Sequence, residues 1–307
     1  MSNSGLEGII TKSVGGSCIV RTLSGDFCSC QMRGGLRKGK KTPLVGDRVI
    51  IAPSGDPDIP FILEKVLKRK NSLVRPPLAN VDALILTFAV KDPEPDLKLL
   101  DKMLIICGLL DIKPIIVFTK CDLSDGDGDK LHKIYSDAGY DCLISRSDNK
   151  PSKSDIISLV KVEGGTGIVG FAGPSGVGKS TLVNHFTDDL SMVVGDISER
   201  LGRGKHTTRH VELFELDDLF ITDTPGFTSL DLFELGVDYK EVIIGYPEIA
   251  QIGVECRFDD CRHLEERDCR VKEEIGNTID PGRYERYKEF YEFLYSNRNN
   301  YTGGAYK

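Results

Sequence analysis

Gly173-Pro174-Ser175-Gly176-Val177-Gly178-Lys179-Ser180-Thr181 sets three glycines, a lysine and hydroxyls in a spacing able to wrap a chain of phosphates. Glycines let backbone N–H groups converge on phosphate oxygens, Lys179 supplies positive charge, and the Ser180 hydroxyl can ligate Mg²⁺. The apolar run 168–172 before it and the helical run 179–184 after it provide the strand–loop–helix context this chemistry requires. A mere glycine turn carrying a surface lysine needs no such context.

Asp223-Thr224-Pro225-Gly226 follows the apolar run 219–222, so Asp223 falls at the C-terminal end of a strand, where α/β sheets bind ligands. Alone it would read as an ordinary Pro-Gly turn. Beside residues 173–180 it reads as the other half of one site, Asp223 holding Mg²⁺ through water and the Gly226 amide sensing a γ-phosphate. Between them, residues 202–210 form a polar, glycine-bearing loop of the kind that orders around γ-phosphate and Mg²⁺, with Thr207 or Thr208 as the metal-sensing hydroxyl.

Thr119-Lys120-Cys121-Asp122 ends the apolar run 115–119. A carboxylate at Asp122 can accept both N1–H and N2–H of guanine, whereas adenine offers no such pair; sites built this way discriminate by roughly 10⁴-fold or more. That disfavours an ATP-using kinase or transporter. Lys120 packs its stem along the base, and Ser145-Arg146-Ser147, after the run 140–144, stands where a second loop closes over the base with its amides. Asn is usual where Thr119 stands, and Thr119 is expected to lose one amide contact to neighbouring loops. The order is also unusual: the base-reading motif precedes the phosphate loop, as in a nucleotide-binding domain whose ends have been rejoined elsewhere.

Cys256, Cys261, His263 and Cys269, spaced C-x4-C-x-H-x5-C, are compact enough to surround one tetrahedral ion. With all four positions filled by protein, that ion is structural. His132, His185, His210 and the other cysteines need no metal.

Taken in order, TKCD, SRS, GPSGVGKS, GRGKHTT, DTPGF and the cysteine cluster resemble the circularly permuted GTPases, and among them the ribosome small subunit-dependent GTPase A family. The resemblance covers nearly the whole chain. It implies GTP hydrolysis stimulated by the small ribosomal subunit and a role in its late maturation, with GTP/GDP, Mg²⁺ on Ser180 and Thr208, and one structural Zn²⁺. Phe227 follows Gly226 where many GTPases place a water-orienting Gln, so intrinsic hydrolysis should be slow. The resemblance makes His206 the residue that orients the attacking water. The missing Gln also permits a second reading, a guanine-nucleotide-controlled RNA-binding module in which hydrolysis is incidental.

The elements that must position these residues follow from patterning. Five short runs, 8–12, 17–22, 27–31, 47–52 and 61–66, broken by Gly and Pro, suggest an OB-like β-barrel over residues 1–70. Arg33, Arg37, Lys38, Lys40 and Lys41 cluster in one connecting segment, either an RNA-binding surface or a solvated loop. The prolines of 75–80 suggest a stiff linker. Beyond it, strands at 82–90, 114–119, 140–145 and 167–172 alternate with helices near 97–110, 130–138 and from 179, implying a parallel sheet covered on both faces. Runs 211–216 and 219–222, parted by Asp217-Asp218, favour a hairpin. The fold class is α/β: a circularly permuted P-loop GTPase domain at 71–235, with the OB-like barrel before it and a helical zinc-binding domain at 236–307. The tail helix with Arg283, Tyr284, Arg286 and Tyr287 either touches RNA or covers the zinc site. The chain passes from residue 226 to the first cysteine of the cluster in about 30 residues, so a switch movement is expected to reach that domain.

In 307 residues the net charge is −7, yet residues 1–70 carry 12 Lys and Arg against 6 Asp and Glu, placing a basic domain on an acidic body. Nine cysteines without a disulfide-style ladder fit a reducing compartment. No secretory pattern and no bilayer-length apolar run is present. A soluble cytoplasmic monomer, with the small ribosomal subunit and its rRNA as partners, is the expectation.

Overall fold

The computed structural model describes residues 5–32, 42–57, 59–160, 166–187, 211–224 and 230–300. The basic residues Arg33, Arg37, Lys38, Lys40 and Lys41, the loop 202–210 with His206, Thr207 and Thr208, and Gly226 with Phe227 lie outside the described residues. Two compact units emerge, one comprising Met1–Ala83, Lys161–Phe171 and Val183–Phe227, the other Leu84–Val160, Ala172–Leu182 and Thr228–Lys307.

In the first unit, β1 (Leu6–Val14), β2 (Ser17–Thr22), β3 (Phe27–Met32), β4 (Arg48–Asp56) and β5 (Ile59–Val66) close into a barrel in the order β1-β2-β3-β5-β4. Only the β3–β5 pair is parallel. Burial alternates along β2 and β3, as a pleated wall around a filled interior demands. Ile10, Val20, Val49, Ile51 and Leu63 are fully enclosed, with Cys18, Cys28 and Cys30 beside them. Gly8 lets β2 approach closely, because a Cβ there would stand 2.5 Å from the Arg21 carbonyl oxygen.

The prolines of 75–80 do not make a free linker. Short strands β6 (Ser72–Leu73) and β7 (Leu78–Ala79) pair across them, and the Ala79 amide donates to the Val45 carbonyl at 2.9 Å. The cause is apolar: Leu73, Leu78 and Ala79 are buried, and their backbone groups must then be paired. The same unit holds β11 (Gly167–Ala172), β12 (Phe214–Leu216) and β13 (Leu219–Asp223), with β11 parallel to β13 and a β12–β13 hairpin. β12 is shorter than the run 211–216, because Glu212 pairs with Lys12 of the barrel instead.

In the second unit the strand order is β10-β9-β8, from β8 (Ala83–Ala89), β9 (Lys113–Thr119) and β10 (Asp141–Ile144). Every residue of β8 is buried, the signature of a strand covered on both faces. Helices α1 (Leu97–Leu109), α2 (Asp127–Asp137) and α3 (Lys153–Leu159) accompany the strands, and α4 (Lys179–Thr187) opens after the glycine-rich loop. The C-terminal part is helical, as expected: α5 (Leu232–Leu235), α6 (Pro247–Gly253), α7 (Arg270–Glu273) and α8 (Pro281–Asn297).

A buried charge cluster joins α8 to α1 and α2. Arg283 and Asp101 are both fully enclosed, and Arg283 donates to Asp101 at 2.7 Å and to Glu248 at 2.6 Å. Arg286 and the Tyr135 and Tyr246 hydroxyls complete the Asp101 carboxylate, and the Arg283 guanidinium lies among the rings of Tyr135, Tyr140 and Tyr246. Buried charges persist only when paired and hydrogen-bonded, and here Asp101 accepts four hydrogen bonds while Arg283 donates four. Asp101→Ala removes the carboxylate shared by Arg283 and Arg286, and should lower unfolding stability by about 3–5 kcal/mol, read as a fall in the urea midpoint.

Candidate nucleotide and metal sites

β11 delivers the chain straight into the glycine-rich loop. Gly173 must be glycine, because a Cβ there would lie 2.1 Å from the Thr87 carbonyl oxygen. Gly176 and Gly178 take φ of +78° and +90°, and the Leu182 amide closes the first helical turn on the Gly178 carbonyl at 3.0 Å. Val177 is buried beneath the loop, Pro174, Lys179 and Ser180 are half-buried, and Ser175, Gly176 and Thr181 are exposed. The outcome is a glycine-rich turn, exposed at Ser175 and Gly176, that runs into a helix N-terminus, a setting that suits an anionic phosphate.

The base-reading motif belongs to the same unit as this loop. Thr119 is buried at the end of β9, and its hydroxyl donates to the Val177 carbonyl at 2.5 Å, with the Phe88 carbonyl 3.4 Å away. Thr119 lacks the side-chain amide of Asn, yet its hydroxyl still ties the two loops together, because β9 ends directly against residue 177. Lys120 adopts a left-handed conformation, φ +55°, and its ammonium donates to the Asp92 carbonyl. Cys121 is buried, with its sulfur where a side chain at Gly128 would collide.

These neighbours leave Asp122 exposed, its two carboxylate oxygens held by the Ser147 amide at 3.2 Å and the Ser147 hydroxyl at 3.0 Å. Its own amide and the Ser147 hydroxyl hold the carboxyl below the usual carboxylate range, so it stays an ionised acceptor at neutral pH. Ser145 is buried and fixed by backbone bonds to Phe118 and Cys121, and Arg146 directs its guanidinium to Asp129 at 3.2 Å. Ser147 is the loop residue that touches Asp122. Sequence reasoning included it in the loop without assigning it a role, since nothing in the motif says which of the three residues turns back.

Asp223 ends β13 in register with Phe171, two residues before Gly173, and the Thr224 amide and hydroxyl both donate to the Phe171 carbonyl, at 3.0 and 2.8 Å.

Cys256, Cys261, His263 and Cys269 come together, all four ligand atoms within 4.8 Å of one another. His263 Nδ1 lies 3.5 Å from Cys256 Sγ and 3.6 Å from Cys269 Sγ, and the two sulfurs are 3.9 Å apart. A tetrahedral ion at ordinary Zn–S and Zn–N lengths needs about 3.8 Å between sulfurs and about 3.6 Å from sulfur to nitrogen. The three separations among Cys256, His263 and Cys269 match these lengths, and the soft thiolate-rich donor set suits zinc. Gly253 leaves room for the imidazole, since a Cβ there would be 2.9 Å from Nε2. Tyr284 and Tyr287 donate their hydroxyls to the His263 and Arg262 carbonyls, tying the ligand loop to α8. Burial pushes the Cys261 thiol up to about 12, raises Cys269 and lowers His263. Neutral ligands are preferred until a cation ionises the thiols.

A glycine-rich strand–loop–helix turn and an ionised carboxylate at Asp122, met in reversed chain order, have the form of a circularly permuted P-loop GTPase, a class whose turnover uses GTP and Mg²⁺. Residues 66–233 match the RsgA GTPase family and residues 7–58 the RsgA N-terminal domain; the chain belongs to the RsgA GTPase family. It is 42% identical over 298 residues to the small ribosomal subunit biogenesis GTPase RsgA of Clostridium novyi (strain NT), spanning 96% of this chain and 99% of that protein. The protein of the same name from Bacillus cereus (strain ATCC 10987 / NRS 248) is 40% identical over 303 residues, with 96% and 99% covered. The crystal structure of YloQ, a circularly permuted GTPase, superposes with a TM-score of 0.76 at 32% identity, covering 95% of this chain and 96% of that one. YjeQ from Thermotoga maritima gives 0.76 at 30% identity, covering 94% and 98%. No helix among the described residues is long and apolar enough to cross a membrane.

Ser147→Ala removes a hydroxyl that stabilises the charged form of Asp122. The Asp122 pKa should rise toward the ordinary carboxylate value, read from a ¹³C carboxyl titration.

Proposed function

We propose that this GTPase binds the small ribosomal subunit and acts in its late maturation, with hydrolysis stimulated by the subunit and coupled to release. The observation that carries the reading is the tie between Asp122's loop and the phosphate cradle, Thr119 to Val177, which makes one guanine-nucleotide site in a chain 40% or more identical to proteins named for small-subunit biogenesis. Three domains serve it: an rRNA-binding barrel at 1–70, the permuted GTPase domain at 71–235 and a zinc-binding helical domain at 236–307. The chain works as a cytoplasmic monomer.

Within the site, the amides of Gly173 through Thr181 cradle the phosphates and Lys179 neutralises them. Ser180 and Thr208 hold Mg²⁺, Asp223 supports it through water, and the Gly226 amide senses the γ-phosphate. Mg²⁺, when bound, draws charge off the phosphate oxygens. Asp122 accepts from the guanine edge, Lys120 packs along the base, and Thr119, Ser145 and Arg146 shape the loops around it. His206 orients the attacking water once the subunit orders its loop. Cys256, Cys261, His263 and Cys269 hold one structural Zn²⁺.

Steady-state hydrolysis with and without purified small subunits tests the whole. Stimulation of about 10²-fold or more supports it, and no stimulation ends it. His206→Ala should abolish that stimulation while nucleotide affinity holds, as measured with a fluorescent guanine nucleotide. Asp122→Asn should weaken GTP binding by about 10²-fold or more, because a donor amide then faces the guanine donors. For zinc, the expectation is one ion per chain by metal analysis, retained at neutral pH. Affinity falls as pH drops, because three thiols must stay ionised and His263 neutral.

A further inference from the structure

The segment 211–216 makes three kinds of contact with the barrel that the nucleotide chemistry leaves unexplained. Lys12 and Glu212 form an antiparallel bridge, and the Leu213 amide donates to the Thr11 carbonyl at 2.8 Å. Val211 and Leu213 are buried. The Lys12 ammonium lies 3.0 Å from Glu212, and the Arg21 guanidinium grips Glu215 with both arms, Nη2 to Oε1 at 2.5 Å and Nε to Oε2 at 3.3 Å. A bidentate arginine–carboxylate pair contributes direction more than energy, fixing the angle between the two elements that carry it.

That angle is passed on by backbone pairing. Glu215 stands opposite Phe220 in the β12–β13 hairpin, whose loop is only Asp217-Asp218, and β13 runs from Leu219 to Asp223. β13 is in turn locked in register on β11. Glu215 and Leu216 are paired to Phe220 and Leu219, and Thr222 and Asp223 are paired to Gly170 and Phe171 of β11, so a shift of the barrel reaches the backbone of Asp223 through consecutive ladder pairs.

We infer that Arg21 and Glu215 are positioning residues for the GTPase reaction, fixing the strand that carries Asp223 to the barrel so that what binds the barrel is felt at the metal-side carboxylate. The inference rests on the role given to Asp223 above. It assigns the barrel a part in turnover beyond anchoring.

Kinetics at saturating Mg²⁺ with the full chain test it. Arg21→Ala and Glu215→Ala should each lower kcat about tenfold while KM for GTP changes less than about twofold, since geometry at the reacting centre is lost and ground-state binding is kept. The swap Arg21→Glu with Glu215→Arg should return kcat to within about threefold of the parent, and Arg21→Lys, which keeps charge without the fork, should recover less. An unchanged kcat in the single variants, or a swap no better than the singles, overturns the inference. Asp223→Asn separates the two readings. If it abolishes Mg²⁺-dependent turnover while Arg21→Ala does not lower kcat, only the barrel coupling falls. If Asp223→Asn is fully active, the role of Asp223 falls and takes this route with it.

Discussion

Everything at the nucleotide site depends on two loops meeting that lie far apart in the chain and in reversed order. The Thr119 hydroxyl on the Val177 carbonyl is where they meet, and the collision that any side chain at Gly173 would make with the Thr87 carbonyl sets how close the phosphate loop comes to β8. Both are short-range constraints on buried atoms, and buried polar atoms tolerate little displacement. The spacing between the Asp122 loop and the glycine-rich loop, on which the proposed guanine-nucleotide site rests, is fixed in this way.

Two further constraints hold the surroundings. In one unit, Arg283, Asp101, Glu248 and Arg286 fasten the long C-terminal helix to α1 and α2, the second of which follows the Asp122 loop. The cysteine–histidine cluster is tied to the same helix by Tyr284 and Tyr287. In the other, ion pairs and a backbone bridge fasten the barrel to the strand that leads to Asp223. Within its own unit, the helical region is thus tied to the elements around the Asp122 loop, and the barrel to the strand that ends at Asp223.

Much of this was legible from residue spacing. The glycine-rich loop, the TKCD run and the Cys256, Cys261, His263, Cys269 cluster stand out in the sequence, because the chemistry proposed for them demands particular residue types at short, fixed separations. The barrel was readable from five short runs broken by Gly and Pro, and β8 and β11 from unbroken apolar runs. What the sequence hid is long-range. Nothing local marks Arg283 as fully buried, since arginine on a polar-looking helix usually faces solvent and only three tyrosines and two acids from distant segments make its burial tolerable. Ser147 and Arg146 look interchangeable in a loop, yet one turns to Asp122 and the other to Asp129. The prolines before residue 80 read as a linker because their neighbours Leu73, Leu78 and Ala79 are too few to reveal that they are buried.

The most direct test is a structure with a non-hydrolysable GTP analogue and Mg²⁺. The account predicts guanine N1 and N2 within hydrogen-bonding distance of Asp122, the Thr119–Val177 bond intact beneath the nucleotide, and the phosphates over the amides of residues 175–180. A base bound away from Asp122, or phosphates outside the glycine-rich loop, would contradict it.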